Sequence, residues 1–431
     1  MARYDALIVG AGPSGLVSLK HLREAGLQAL ALEKRHDVGG VWLLEEAEGH
    51  SSAYHTLVTI TSKACSRLSD HDFPQEWPDY LPWYLVQRYF RTYAEKFGLL
   101  EHIHFGEEVR LAQKVGEIWK IETISGKIYT SRYLIAASGH HWKPFLPSYP
   151  GSFTRECYHA HAYKSPSQLQ GKRVLIVGVG NSGADIAVDA ARVAASVEIS
   201  LRRGYHIMPK FGWLGEPSDL LYKKLVAPLP RFLREPMATA TLYLLRGSMR
   251  RYGMPKPQGS LFYTHPLVNS ELLYQLRHGK VRIRPSLQRL EGCRVYFTDG
   301  TWGEYDTLIW ATGYEVAFPY LDSSLVPTGD KVRKLYLHLF YLDEPTLLYI
   351  GLIQPNGCLW NLAEKQAMLA ARYIVGSYRL PPSAPEEANA YWQQHSKRYA
   401  DSPRHLWEVD WYEYAGKLDR ILRRHPLPVH A

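Results

Sequence analysis

Apolar positions along this chain fall into short unbroken runs and into helical spacing, and at the N-terminus the two follow one another closely. Asp5-Ala6-Leu7-Ile8-Val9 is a run of the kind a strand buried on both faces shows, and it meets Gly10-Ala11-Gly12-Pro13-Ser14-Gly15. Behind the glycines, Leu16-Val17-Ser18-Leu19-Lys20-His21-Leu22 spaces its apolar residues at three and four, which predicts a helix stopped at Gly26. Leu27 to Leu32 predicts a second strand, ending at Glu33. Asp37-Val38-Gly39-Gly40-Val41-Trp42 then brings a glycine pair up to a large aromatic. From Gly49 to Pro82 the periodicity is poor, as in a long loop lining a pocket. A helix is predicted at Leu85 to Phe97, a small antiparallel excursion at Leu111 to Ile124 and Lys127 to Tyr133, and a separate buried strand at Leu134 to Ala137, ending at Ser138-Gly139.

Pro144, Pro147 and Pro150 mark a crossing between domains, and beyond them the opening pattern returns. Arg173-Val174-Leu175-Ile176-Val177 meets Gly178-Val179-Gly180-Asn181-Ser182-Gly183, a helix follows from Ala184 to Ala194, and the strand Val197 to Leu201 ends in Arg202-Arg203. Phe211 to Gly253 reads as partly buried helix whose arginines, Arg231, Arg234, Arg246, Arg250 and Arg251, are solvated, with a membrane-surface helix as the alternative. Strands return at Val281 to Ile283 and Val295 to Phe297, and Asp306 to Trp310 runs into Ala311-Thr312-Gly313. The tail carries Tyr349 to Pro355 and a helix from Leu362 to Ile374.

The two glycine turns carry chemistry. The first glycine allows a tight turn, the second lets backbone approach a pyrophosphate, and the third lets the helix pack on the strand, while free helix N–H groups face the phosphates. A carboxylate about 20 residues on accepts the hydroxyls of an adenosine ribose, which is the place of Glu33. Arginines at the equivalent place suit a ribose 2′-phosphate, which a carboxylate would repel. The first unit therefore suits FAD and the second NADPH.

Composition narrows the rest. With 431 residues, 46% hydrophobic and 22% charged, the chain has room for two or three globular domains. The net charge of +9 is spread along the chain without a long run of one sign, so cofactor phosphates are a sufficient partner and nucleic acid is not expected. Cys65, Cys157, Cys293 and Cys358 are far apart, giving no Cys-x-x-Cys pair and no zinc spacing, and a reduced cytoplasm is the simplest setting. Met1 to Tyr4 leads directly into the first strand, so no signal peptide is expected. No run approaches the ~20 apolar residues of a membrane span, and membrane association is not expected. Cys157, His159 and His161 near His140 and His141 fit no common metal site, and neither Ser14 nor Ser182 lies in a nucleophile elbow. Disulfide reductases that pair two dinucleotide domains need two cysteines near the flavin, which this chain is expected to lack.

Over nearly its whole length the chain resembles the flavin-containing monooxygenases, class B flavoprotein oxygenases. The stretches that carry the resemblance are Gly10 to Gly15, Gly39 to Trp42, Ser138-Gly139-His140-His141, Gly178 to Asp185, Ala311-Thr312-Gly313-Tyr314 and Gly351 to Gly357. The family fingerprint F-x-G-x-x-x-H-x-x-x-Y/F stands here as Phe153 to Tyr163, with Arg155 in place of the glycine. Its closing tyrosine differs from the tryptophan of the Baeyer–Villiger relatives. The resemblance implies an α/β fold with two Rossmann-like dinucleotide-binding domains: an FAD domain from residues 1–163 and 306–431, with an NADPH domain inserted at 164–305. It implies Gly10, Gly12, Pro13, Ser14, Gly15, Glu33, Lys34, Gly40, Val41, Trp42, Thr61, Val109 and Gln354 toward FAD. Toward NADPH it implies Gly178, Gly180, Asn181, Ser182, Gly183, Arg202 and Arg203.

The family's pocket loop carries an asparagine where Ile60 stands, and an isoleucine cannot make its hydrogen bonds near the flavin and nicotinamide. The activity implied is that of an N,N-dimethylaniline monooxygenase-like enzyme: NADPH reduces FAD, O2 adds at C4a to give a (hydro)peroxyflavin, and an amine nitrogen or sulfur of a small molecule takes the distal oxygen. The alternatives are an NADPH oxidase releasing hydrogen peroxide, for which Ile60 is the motive, and a nucleotide-binding protein without turnover. A homodimer is compatible with the sequence.

Overall fold

The structure is a computed structural model and describes residues 3–45, 51–400 and 403–427. Strand β1 (Arg3–Val9) is fully buried at Ala6, Leu7 and Ile8, and helix α1 (Pro13–Glu24) starts immediately behind the glycine turn with Pro13 in its first turn. Proline fits there because its missing N–H would have had no helical partner. Strand β2 (Ala29–Glu33) pairs in parallel with β1, and Gly26 takes the positive φ of 78° that ends the helix before it. Helix α2 (Trp83–Lys96) packs Val86, Tyr89, Phe90 and Tyr93 inward, and a three-residue strand β3 (Ile103–Phe105) closes this edge against β2.

Strands β4 (Val109–Val115) and β5 (Ile118–Thr123) form the expected antiparallel excursion, and β5 pairs with β6 (Ile128–Ala136). The separate strand expected at Leu134 is the end of β6. Its first half alternates between buried and more exposed residues, and its last three, Leu134-Ile135-Ala136, are buried throughout where it lies parallel to β1. One strand thus changes its hydrophobic pattern without a break, because it leaves a hairpin with an open face and enters a sheet covered on both.

The second sheet is built the same way. Strand β7 (Glu156–His159) precedes β8 (Arg173–Val177), helix α3 (Asn181–Val193) and β9 (Ser196–Ser200). The insert then carries helix α4 (Arg231–Arg246), and β10 (Val281–Arg284) and β11 (Thr307–Trp310) complete a parallel sheet in the order β10-β9-β8-β11-β7. Because β7 and β11 both pair inside this sheet, it takes up residues on either side of the expected limits at 163/164 and 305/306. The chain crosses between the sheets where Lys143–Pro144 and Tyr314–Glu315 pair antiparallel.

Strand β12 (Leu347–Tyr349) returns to the first sheet beside β6, giving the order β12-β6-β1-β2-β3, and helix α5 (Leu359–Ile374) packs along α1. Helices α6 (Ala384–Arg398) and α7 (Trp411–Arg424) complete the tail.

The insert departs from the sequence reading. Arg234 is buried, and its guanidinium donates to Asp410 Oδ2 at 2.9 Å and Glu413 Oε1 at 3.1 Å, with Arg398 on the same two carboxylates. The side of α4 turned to solvent carries Phe232 and Leu244, 75% and 80% exposed, with Leu233, Met237 and Tyr243. Its arginines are therefore not one solvated stripe. Arg234 bonds α7, and the outer face is apolar.

Candidate functional site

The two glycine turns match hydrogen bond by hydrogen bond. Gly10 N–H donates to Leu32 O at 2.8 Å, and Gly178 N–H to Ser200 O at 3.0 Å. Leu16 N–H closes on Gly12 O, and Ala184 N–H on Gly180 O, both at 2.9 Å. A Cβ at Gly10, whose φ is +103°, would stand 2.8 Å from Ala137 O; one at Gly178, at +96°, would stand 2.6 Å from Ala311 O. At the helix starts, a Cβ on Gly15 would stand 1.9 Å from Gly10 O and one on Gly183 2.6 Å from Gly178 O. Those distances are far inside van der Waals contact, so glycine is what lets each helix lie on its strand.

At the first turn Gly12 faces Gly40. A Cβ on Gly12 would meet Gly40 Cα at 3.1 Å, and one on Gly40 would meet Gly12 Cα at 2.9 Å. The two glycines pack backbone against backbone. The Glu33 carboxylate is buried at the end of β2 and accepts Ala11 N–H at 2.7 Å and Arg35 N–H at 3.0 Å. A carboxylate has about four acceptor positions, so two remain for the hydroxyls of a ribose. Val109 begins β4 beside this end of β2, where Glu107 N–H donates to Glu33 O. Lys34 and Val41 are exposed, while Trp42 packs edge-on against Trp360 with ring centroids 5.9 Å apart. These features fit a dinucleotide with its pyrophosphate at the α1 N-terminus.

Arg35 was not legible in the sequence. Buried, it donates to the carbonyls of Gly40 and Leu43 and so fixes the glycine-pair loop. Nothing in the spacing separates it from Lys34 beside it, which is exposed.

At the second turn Asn181 Oδ1 accepts Val268 N–H at 2.8 Å, which ties the α3 N-terminus to the insert; Ser182 follows in the same helical turn. Arg202 is exposed and makes no hydrogen bond or ion pair among the described residues, and Arg203 lies over the Tyr205 ring. An unpaired guanidinium at the end of β9 fits a phosphate of the second nucleotide.

Both units wall one cavity of about 180 Å3. Ile60 and Thr61 line it from the pocket loop, Asn356, Gly357 and Cys358 from the loop after β12, Tyr222, Phe262 and His265 from the insert, and Trp411 and Tyr412 from the first turn of α7. Gln354 is buried just before this wall, in a short strand paired with Glu408–Val409. Asp410 caps α7 by accepting the Tyr412 and Glu413 N–H groups, which sets Trp411 and Tyr412 at the cavity. Tyr222 opens a π turn, Tyr222–Val226, and meets Phe262 and Tyr412 edge-on or tilted.

The pocket loop keeps the expected poor periodicity; Gly49 and His50 lie outside the described residues. Its position is fixed by α3. Tyr54 OH donates to Asp185 Oδ2 at 2.7 Å, and Asp189 Oδ2 accepts Thr56 Oγ1 at 2.5 Å and Tyr163 OH at 2.8 Å. Asp185 and Asp189 are one helical turn apart and share a face. Burial pushes the Asp185 carboxyl up to about 6, against the hydrogen bonds from Tyr54 and Asn269. Tyr163, the closing residue of the fingerprint, thereby shares the Asp189 carboxylate with Thr56 of the pocket loop.

Two of the cysteines border the site, and all four are free. Cys65 and Cys358, remote in sequence, line the same cavity. Burial pushes their thiols up to about 11 and about 12, so both are held as protonated thiols and not as nucleophilic thiolates. His140, His141, His159 and His161 gather around Tyr314, and burial pushes His140 and His159 down to about 4. Among the described residues no group of three or more His, Cys, Asp or Glu side chains is placed to hold a metal ion. No helix among them is long and apolar enough to cross a membrane.

Comparison with known proteins gives three consistent results. Residues 4–428 match the family model "Flavin-binding monooxygenase-like". The human flavin-containing monooxygenase 2 is 36% identical over 402 residues, covering 87% of this chain and 74% of that protein. Rat flavin-containing monooxygenase 5 is 33% identical over 438 residues, covering 96% and 81%. Among solved structures, S-allyl-L-cysteine S-oxygenase from Allium sativum superposes with a TM-score of 0.72 at 20% identity, covering 97% of this chain and 88% of that one. Cyclohexanone monooxygenase from Rhodococcus sp. Phi1, bound to NADP+, gives 0.74 at 17% identity, with 98% of each chain covered. At these identities the structural likeness establishes the fold.

Proposed function

The chain belongs to the flavin-binding monooxygenase-like family, which uses FAD and NADPH, and on that premise we propose that it is an NADPH- and O2-dependent monooxygenase acting on a small molecule. The oxygen acceptor in this reading is a soft nucleophile, an amine nitrogen or a sulfur, as in an N,N-dimethylaniline monooxygenase-like enzyme. The observation that carries it is the cavity walled by both dinucleotide units, with the pocket loop pinned to α3 through Asp185 and Asp189.

When bound, FAD and NADPH would supply the redox chemistry that delivers one oxygen atom of O2 to the substrate. The residues of the chain bind, orient and exclude solvent. The α1 N-terminus and Glu33 hold the first nucleotide, and Arg35 keeps the Gly40 loop at its pyrophosphate. The α3 N-terminus with Arg202 or Arg203 holds the second. Thr59 fixes the loop beside Ile60, donating its N–H to Leu81 O and accepting Leu81 N–H on Oγ1, each at 2.9 Å. Trp411, Tyr412, Phe262 and Tyr222 give the cavity an aromatic wall that limits water.

Oxygen uptake on adding NADPH tests this reading. Uptake that requires an amine or sulfide is expected; uptake indifferent to substrate would indicate an oxidase, and none a protein without turnover.

Ile60 favours a measurable leak toward the oxidase reaction. It lines the cavity, where an apolar side chain leaves a polar partner unpaired at a cost of about 1 to 3 kcal/mol unless Thr61 or water replaces the bond. The Ile60→Asn variant should release less hydrogen peroxide per NADPH consumed than wild type. An unchanged ratio would place Ile60 away from the chemistry.

A further inference from the structure

The cavity wall carries one histidine, His265, whose buried carboxylate partner neither glycine turn explains. His265 and Glu408 are 143 residues apart in sequence, and their Nδ1 and Oε2 atoms are 3.2 Å apart. Glu408 is 2% exposed, its carbonyl oxygen is bonded by His395 Nε2 at 2.9 Å, and its second carboxylate oxygen, Oε1, has no hydrogen-bond partner among the described residues. With the ring Nδ1 committed to the carboxylate, Nε2 is left over. That nitrogen has no hydrogen bond among the described residues, the side chain is 12% exposed, and the ring borders the cavity. A carboxylate this deeply buried is best accommodated opposite a positive charge, so the pair is built to stabilise a proton arriving on Nε2.

The charged groups on the same wall are Asp219, Lys223 and Arg67. Asp219, on the cavity wall, accepts Ser62 N–H on Oδ2 and Leu220 N–H on Oδ1, and its own helix brings Lys223 to the same wall. Arg67, also on the wall, pairs with Asp72 at 2.6 Å. Behind Glu408, Arg398 and Asp410 pair with each other at 3.2 Å. Among the described residues no other histidine lines the cavity.

An amine nitrogen is useful as an oxygen acceptor only through its lone pair, yet aliphatic amines titrate near ~10 and arrive protonated at neutral pH. Resting on the amine reading above, we infer that His265 is the catalytic group that takes the proton from the bound ammonium, and that Glu408 positions the ring. In this step an ammonium N–H bond breaks and its electron pair stays on the substrate nitrogen. A new N–H bond forms at His265 Nε2, and the positive charge moves from substrate to ring, beside Glu408. The overall reaction, amine + O2 + NADPH + H+ giving amine oxide + water + NADP+, consumes one proton, which is the one the ring holds. A sulfide reaches the cavity with its lone pairs free and needs no such step.

The test uses FAD-loaded enzyme with N,N-dimethylbenzylamine and benzyl methyl sulfide as probes. In the 15N-histidine NMR spectrum, with the His265 signals assigned by their loss in His265→Gln, the amine should move the ring nitrogens to imidazolium positions and the sulfide should leave them neutral. In turnover, His265→Gln should lower the ratio of amine to sulfide kcat/KM by about a hundredfold below the amine's own titration. The ratio should recover as pH rises through it. Glu408→Gln, which keeps a hydrogen bond but no charge, should change the ratio in the same sense by less. A ring that stays neutral with the amine, or equal losses for the two substrates, overturns the assignment. If wild type oxygenates neither probe, the function proposed above fails, while the NMR result still decides whether His265 accepts the amine's proton.

Discussion

Gly12→Ala should fold and purify largely without FAD, whereas Gly15→Ala should fail to give a stable first domain. The two substitutions add the same methyl group three residues apart, and what each group meets decides the difference. At Gly15 the new carbon would stand 1.9 Å from the Gly10 carbonyl oxygen, so α1 would have to lift from β1, along a helix whose residues Leu16, Val17 and Leu19 are fully buried. Overpacking of this kind costs about 1 to 3 kcal/mol where neighbours can move, and here the neighbour is backbone. At Gly12 the carbon would meet Gly40 Cα at 3.1 Å, which a shift of a few tenths of an ångström in the glycine-pair loop relieves. That shift displaces the glycine-pair loop, and the added methyl group itself covers backbone where the pyrophosphate is expected. Flavin absorbance per mole of protein and thermal unfolding of both variants check this. A full complement of FAD in Gly12→Ala would remove the first turn from the FAD site.

Much of the framework was legible because both parallel sheets bury their strands on each face, which writes them as apolar runs, and because a glycine turn is needed wherever backbone approaches backbone. Gly10, Gly15, Gly178 and Gly183 all meet main-chain atoms at distances no side chain tolerates. The repeat of the unit was legible for the same reason.

What escaped was set by contacts remote in sequence. Asp185 and Asp189 looked like ordinary helix residues until Tyr54, Thr56 and Tyr163 came to them from other segments. Arg234 belonged to a run of arginines with nothing to single it out, yet Asp410, 176 residues away, makes it a buried partner. Cys65 and Cys358 likewise line one cavity only because the loop after β12 folds back on the pocket loop, where Asn361 Nδ2 donates to Cys65 O at 3.0 Å. The cavity is assembled from four such segments that meet only in the folded chain, so the outline of the cofactor sites was readable and the substrate wall was not.

The second large effect is expected at the end of β9. Replacing Arg202 and Arg203 together by alanine should reduce the affinity for NADPH at least about tenfold and leave NADH almost unaffected. The first unit ends β2 in a buried carboxylate, Glu33, which is suited to ribose hydroxyls, whereas the second ends β9 in two guanidinium groups. Arg202 is exposed with no partner among the described residues, so its removal leaves no buried charge behind and should not disturb the fold. Arg203 is tied more closely, lying 5.5 Å from the Tyr205 ring with its Nε 3.4 Å from the tyrosine oxygen. A hydrogen bond to a charged group contributes about 1.5 to 3 kcal/mol, and a guanidinium can make two to one phosphate, so tenfold is the lower bound for losing the residue that holds it. The single variants separate the two: Arg202→Ala should account for most of the loss if the exposed guanidinium takes the 2′-phosphate, and Arg203→Ala if it swings from Tyr205 to do so. Binding of each nucleotide to oxidised enzyme, followed by flavin fluorescence or calorimetry, keeps turnover out of the measurement. A double variant that still discriminates between NADPH and NADH as wild type does would mean that the 2′-phosphate is held by residues beyond this strand.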